Sequence, residues 1–183
     1  MCLTSSILYT CEDESAVGGF KAIYVASRDS VVGFTVGSDH TYTAVSMAST
    51  AAADQWHEID PTDYTAVLAW TNELAEGGSN SISTDLQMTV PKIDTVKSAQ
   101  LNALKECCKL VVIGVTNENN ALVFGWDERV GKVGALRVAV NGNIGAGLAD
   151  GNNYGLQFTG QQVELPYNFS GTILVSGVSV VIS

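Results

Sequence analysis

The chain has 183 residues and a net charge of −10, with only 15% charged residues and 46% hydrophobic ones, where an average soluble protein carries about 25% charged. That length fits one domain spanning 1–183, able to bury a core without metal or disulfide staples. The composition excludes wholesale disorder, and the sparse charge suits a protein that hides surface in an assembly.

Met1–Thr10 lacks the basic start and long apolar core of a secretion signal. Phe20–Ser27 and Val31–Val36 are rich in β-branched and aromatic residues and read as strands. His40–Ala48 follows a Gly37-Ser38-Asp39 turn cluster and reads the same way. Met47–Asp54 is ambiguous, and Gln55–Asp63 reads as a polar loop. A long hairpin comes next. Tyr64, Ala66, Leu68 and Trp70 alternate with Thr65, Val67, Ala69 and Thr71. After Gly77-Gly78, Ile82, Thr84, Leu86, Met88 and Val90 alternate with Ser83, Asp85, Gln87 and Thr89. Period-two alternation means one buried face and one that is wet or meets a partner. Arms of about a dozen residues exceed the usual strand, so the hairpin is expected to project.

Asp94 or Thr95 caps a helix over Thr95–Lys109, with Val96, Leu101, Leu104 and Cys108 as its apolar stripe. Strands return at Leu110–Thr116, Ala121–Trp126, Val133–Val140 and Tyr154–Thr159, with a glycine-rich Asn141–Gly151 between the last two, and Thr172–Ile182 completes roughly ten strands. The uncharged tail Leu165–Ser183 contains Asn168, Gly171, Gly177 and four serines. It therefore reads as a buried strand rather than a membrane span, and no membrane partner is expected.

Nine acids and no base fall between Asp29 and Pro91, while seven of the nine bases lie between Lys92 and Arg137. No basic stripe of the kind that neutralises phosphates is present. Cys2, Cys11, Cys107 and Cys108 form no C-x-x-C pair and lie apart from His40 and His57, so neither zinc nor another metal is expected. The glycines Gly145, Gly147 and Gly151 miss the dinucleotide spacing, and Gly125–Lys132 misses the phosphate-loop pattern. Asp127-Glu128 and Glu12-Asp13-Glu14 read as solvated turn acids. With no nucleophile, base and oxyanion-donor set, the expectation is no enzyme, no catalytic residue and no cofactor.

From the hairpin onward the order of motifs becomes specific. "MTVPKIDTVKSAQLNALKECCKLVVIGVTNENNALVFGW" is followed by Asp150, Tyr154, Leu156, Phe158 and Gly160 in a D-x-x-x-Y-x-L-x-F-x-G strand. With the opening Gly18–Ala26, this resembles the major tail tube proteins of tailed bacteriophages, closest to those of phages infecting Bacteroidetes-type bacteria. The resemblance implies a β-sandwich, mainly β, with one flanking α-helix and a long projecting hairpin. It implies homo-hexameric rings whose strands join into an inner barrel, stacked into a virion tail tube assembled in the host cytoplasm. Partners would be copies of itself and other tail proteins (terminator, baseplate or tip), with DNA passing through without specific binding. Thr65, Thr71, Glu73, Glu76, Ser83, Asp85 and Gln87 are the candidate lumen or interface residues, and the acids are expected to make the lumen negative. Alternatives are a neck terminator, a decoration protein, a secretion-system-like tube, or a carbohydrate-binding or adhesin β-sandwich. Trp56, Trp70 and Trp126 would be the platform candidates of the last, although Trp70 reads as core.

Overall fold

FKAIYVAS and LVVIGVT hold few polar residues, so strands built from them need cover on both faces. In the computed structural model, which describes residues 18–61, 65–74, 80–127, 129, 131–144 and 152–182, they receive it. Strand β1 (Phe20–Ser27) pairs antiparallel with β7 (Leu110–Thr116), and Ile23–Ala26 and Leu110–Val115 are buried. They lie in a seven-stranded sheet that also holds β2 (Val31–Val36), β3 (Thr41–Met47), β4 (His57–Ile59), β8 (Ala121–Phe124) and β11 (Tyr167–Phe169). Its order is β2-β3-β11-β8-β7-β1-β4. A second sheet has the order β5-β6-β10-β9, from β5 (Val67–Leu74), β6 (Asn80–Pro91), β9 (Arg137–Asn143) and β10 (Asn153–Gln162). All its pairings are antiparallel.

The two sheets enclose one core. Ile23, Val25, Leu110, Val112 and Phe124 meet Leu86, Met88, Leu156 and Phe158 of the smaller sheet. Each such side chain, fully buried, contributes about 1.5–3 kcal/mol of burial free energy. Leu110 and Leu136 exchange N–H···O bonds of 2.9 Å in both directions, tying the larger sheet to the segment just before β9. The opposite face of β1 and β7 packs Tyr24, Val111 and Ile113 against Ile173, Val175 and Ile182 of the hairpin β12 (Gly171–Val175) and β13 (Val178–Ile182). Near this second core the Arg28 guanidinium lies 3.6 Å from the Trp126 ring centre, and burial lowers its pKa while Asp29 opposes the shift.

The mainly β reading with one α-helix therefore holds for the described residues, with several corrections. Gln55–Asp63 is not all loop: Trp56 is wholly buried, its backbone N–H donates to the Leu174 carbonyl oxygen, and β4 follows. Just before it, Ala52–Asp54 is a single 3-10 turn. There the Asp54 carboxylate accepts from the hydroxyls of Ser30 (2.7 Å) and Ser49. Those bonds hold its pKa below the usual carboxylate value, Ser49 most strongly.

The helix α1 (Thr95–Glu106) ends three residues earlier than expected, and Asp94 is the cap, accepting from Lys97 N–H at 2.8 Å. Of its expected stripe only Leu101 is buried and Leu104 packs partly, while Val96 and Cys108 are exposed. The helix packs Leu101 and Leu104 against the sheets, and its first turn adds a bond between the Ser98 and Tyr154 hydroxyls and one from Lys97 Nζ to the Pro91 carbonyl oxygen. Val133 does not begin a strand, because Gly131–Gly134 forms a 3-10 turn and β9 starts at Arg137. Ser176 and Gly177 adopt positive φ, a turn conformation that divides the tail. Leu165–Ile182 consequently contains three short strands rather than one. Thirteen strands are described against the ten expected. Cys107 and Cys108 are free and exposed; Cys2, Cys11, Tyr64, Glu76, Gly77-Gly78, Glu12–Glu14, Glu128 and Gly145–Gly151 lie outside the described residues.

Candidate assembly face

Over its described residues the long hairpin is part of a sheet. β6 pairs with β5 from Asn80 to Gln87 and with β10 from Ile82 to Pro91, so only Asn80 and Ser81 extend beyond β10. Alternation along β6 is strict: Ile82, Thr84, Leu86, Met88 and Val90 are buried, while Ser83, Asp85, Gln87 and Thr89 are half-buried or exposed on the other face. β10 follows suit, with Leu156 and Phe158 inward and Gln157, Thr159 and Gln161 outward. One face of the smaller sheet is thus roofed by the larger sheet, and the other is bare and polar.

Cross-strand register places the expected residues on that bare face. Ser83 lies opposite Thr71, Asp85 opposite Ala69, Gln87 opposite Val67, and Glu73 opposite Ser81. The Thr65 hydroxyl meets both the carbonyl oxygen and the N–H of Thr89, at 3.4 and 3.3 Å. Six of the seven candidates therefore share one surface, and the seventh, Glu76, is not among the described residues. β10 and β9 add Gln157, Thr159, Gln161, Arg137, Ala139 and Asn141, in the rows Gln87–Gln157–Ala139 and Asp85–Thr159–Arg137. None of these was singled out from sequence, although the alternation in YGLQFTGQQ carried the signal.

Asp85 is the electrostatic centre of the face. Its two carboxylate oxygens accept from Gln157 Nε2 at 3.1 Å each, and one also accepts from Gln87 Nε2 at 2.9 Å. Amide donors orient the carboxylate without neutralising it. Around it lies a shallow hollow bounded by Thr65, Val67, Asn141 and Gln157. Nothing there resembles a catalytic set, and among the described residues no group of three His, Cys, Asp or Glu side chains could hold a metal ion. No described helix is long and apolar enough to cross a membrane.

The two margins of this sheet matter as much as its face. Among the described residues β5 pairs only with β6, and β9 only with β10. An uncovered strand edge is a template for another chain, and soluble proteins usually blunt it with lysine or proline. β5 reads VLAWTNEL and has neither. It also exposes apolar side chains: Val67, Leu74 and Trp70, the last 46% accessible. The reading of Trp70 as core is therefore corrected: its ring approaches Phe124 at 6.5 Å, but the larger sheet stops short of covering it. Trp56 and Trp126 are buried and present no platform for a sugar.

No protein-family model matches the chain, and neither a curated protein nor a solved structure does.

Proposed function

We propose that the protein is a structural subunit that polymerises into stacked rings forming the tail tube of a tailed bacteriophage, through which DNA passes. One observation carries this reading: an antiparallel sheet of four strands with one face roofed, the other polar, and two edge strands that pair with no further strand among the described residues. Because the strand number is even, β5 and β9 run in opposite directions. Copies related by rotation about an axis roughly along the strands would meet β9 to β5 in antiparallel sense and continue the sheet without a break. The roofed face must point outward, since the larger sheet occupies that side, so the polar face lines the interior.

The tail-tube resemblance supplies the number of copies, six. Six four-stranded sheets make about 24 strands; at roughly 4.8 Å spacing and 35–45° tilt the backbone radius is about 22–26 Å. Barrels of 16–18 strands already leave an aqueous channel, so a conduit of this width suits DNA. The terminator, baseplate or tip would contact the ends of the stack. Negative-stain electron microscopy of concentrated protein tests the reading. Rings and stacked rings are expected, and a strict monomer at millimolar concentration would refute it.

A further inference from the structure

Charge and length together specify how neighbouring copies would join. β5 carries a single charged residue, Glu73, and β9 a single one, Arg137. Both are exposed, both lie on the polar face, and they sit on opposite margins of one sheet. The one ion pair found among the described residues, Arg129 with Glu164, involves neither. We propose that copies join through an antiparallel β9–β5 ladder in which Arg137 of one copy lies opposite Glu73 of the next. This rests on the ring reading above and specifies the register within it.

Three independent constraints meet at this register. The first is length. With Arg137 opposite Glu73, all of Arg137–Asn143 faces Val67–Glu73, using the seven residues of β9 against seven of the eight in β5. Every other register that keeps polar face with polar face pairs fewer strand residues.

The second is tilt. Within one copy, Arg137 is level with Ala69 through Thr159 and Asp85. Bringing Glu73 to that level staggers the next copy by four residues over four strands, one residue per strand. With a rise of about 3.3 Å and a spacing of about 4.8 Å, that is a tilt of about 35°, within the range common to closed barrels. A stagger of two gives about 19° and one of six about 46° by the same arithmetic.

The third is hand. The N–H and C=O of Thr89, whose side chain is on the polar face, turn toward Thr65 and hence toward β5. For L-residues this determines the view from the polar side: with β5 running upward, the order from left to right is β5, β6, β10, β9. Adjacent strands rotate by about −20 to −25°. A barrel with the polar face inside then displaces the copy on the right downward, lowering Glu73 to the level of Arg137 rather than moving it away.

The backbone agrees. Val138, Val140 and Gly142 of β9, like Leu68, Trp70 and Asn72 of β5, turn their N–H and C=O groups to the free margins. In the proposed register they fall opposite one another as hydrogen-bonded pairs. Arg137–Glu73 and Ala139–Thr71 become non-hydrogen-bonded pairs, whose side chains approach most closely. Val140 would lie across from Trp70, covering the indole that a single copy leaves half-exposed.

Cysteine pairing reads the register directly. A double variant Thr71→Cys with Ala139→Cys should, on mild oxidation of assembled rings, give a ladder of crosslinked species up to the full ring on a non-reducing gel. Thr71→Cys with Arg137→Cys or with Asn141→Cys, each one row out of register, should give little beyond the wild-type background from the native cysteines. Glu73→Arg and Arg137→Glu should each raise the concentration needed for assembly several-fold, and the two together should restore it. Rings that crosslink only through an out-of-register pair, or a double swap no better than either single, would overturn this seam while leaving the ring reading standing. Wild-type protein that never forms rings would overturn both.

Discussion

Trp70 offers the sharpest test of where copies meet. It occupies a strand margin, 46% of its surface is accessible, and its ring makes a tilted approach to Phe124. A Trp side chain buries roughly 150–250 Å² when fully covered, so the exposed part is about 70–115 Å². At about 25 cal/mol per Å², covering it in the seam stabilises each junction by about 2 kcal/mol. Trp70→Thr keeps a good strand former and removes the indole. A loss of about 2 kcal/mol per junction raises the critical concentration for assembly roughly thirtyfold. The buried half is lost from the monomer as well, a further 2 kcal/mol or so, lowering Tm by about 4–8 °C at this chain length. Sedimentation across a concentration series gives the first quantity and calorimetry of dilute protein the second. A Tm that falls as stated while the critical concentration stays within about twofold of wild type would refute the placement of Trp70 in a junction.

Gly125 has φ +78°, and a Cβ there would press on the Leu110 carbonyl oxygen, whereas Gly131 has φ +58° with open space around it. Gly131→Ala should therefore cost only the left-handed backbone strain, about 1–2 kcal/mol, and Gly125→Ala that plus about 1–3 kcal/mol of overpacking; denaturant titrations yielding equal losses would contradict the close approach. Asp54, held ionised by Ser49 and Ser30, has a folded pKa below its unfolded value. Its contribution is accordingly present above the unfolded pKa and lost as the pH falls through the folded one; Asp54→Asn should flatten the acid limb of stability against pH, and an unaltered limb would assign that limb to other groups. Asp85→Lys lies off both sheet margins, so tubes should still assemble. If the face lines the lumen, the six added cations per ring should slow DNA ejection in a salt-dependent way, and unchanged ejection would place this face elsewhere.

Strand identity was readable wherever one periodicity ruled. The alternation of Ile82 to Val90 predicted which side of β6 is buried, and Leu110–Thr116 was legible as a strand, although its burial on both faces emerges only from the structure. The polar stretch around Trp56 misled because a three-residue strand is too short to show a period, and its one strong feature, the buried indole, depends on β12 more than a hundred residues later. The helix stripe failed for a different reason: Val96 is five residues from Leu101, about 140° round the helix, and Cys108 lies beyond the helix end. Six candidate residues of the polar face were legible because they sit on consecutive strands. Arg137 and Gln157 were not, since their place beside Asp85 follows from β10 inserting between β6 and β9. The length of β6 has the same origin: it is flanked on both sides, by β5 over Asn80–Gln87 and by β10 over Ile82–Pro91.

The electrostatic expectation also changes once the strands are placed. Acids crowd the segment from Asp29 to Pro91, but the described polar face carries only Glu73, Asp85 and Arg137: two acids and one base, hence one net negative charge per copy. The rest of that surface is Ser, Thr, Asn, Gln, Ala and Val, with Gly155 and Pro91. In the proposed ring six Asp85 carboxylates would stand roughly 20 Å apart on the inner wall, about twice the Debye length at physiological salt, so they repel a passing duplex locally and not as a continuous field. What matters more for a conduit is the absence of a grip. A free arginine on the wall would bind phosphate in a fork geometry, and six per ring, repeated along a tube, would hold DNA fast. Arg137 is the one arginine on this face among the described residues, and the register that matches strand lengths is also the register that sets Glu73 against it. The seam would thus join the copies and at the same time remove the one cation able to retain DNA, leaving amides, hydroxyls and isolated carboxylates, none of which carries the positive charge that phosphate binding requires.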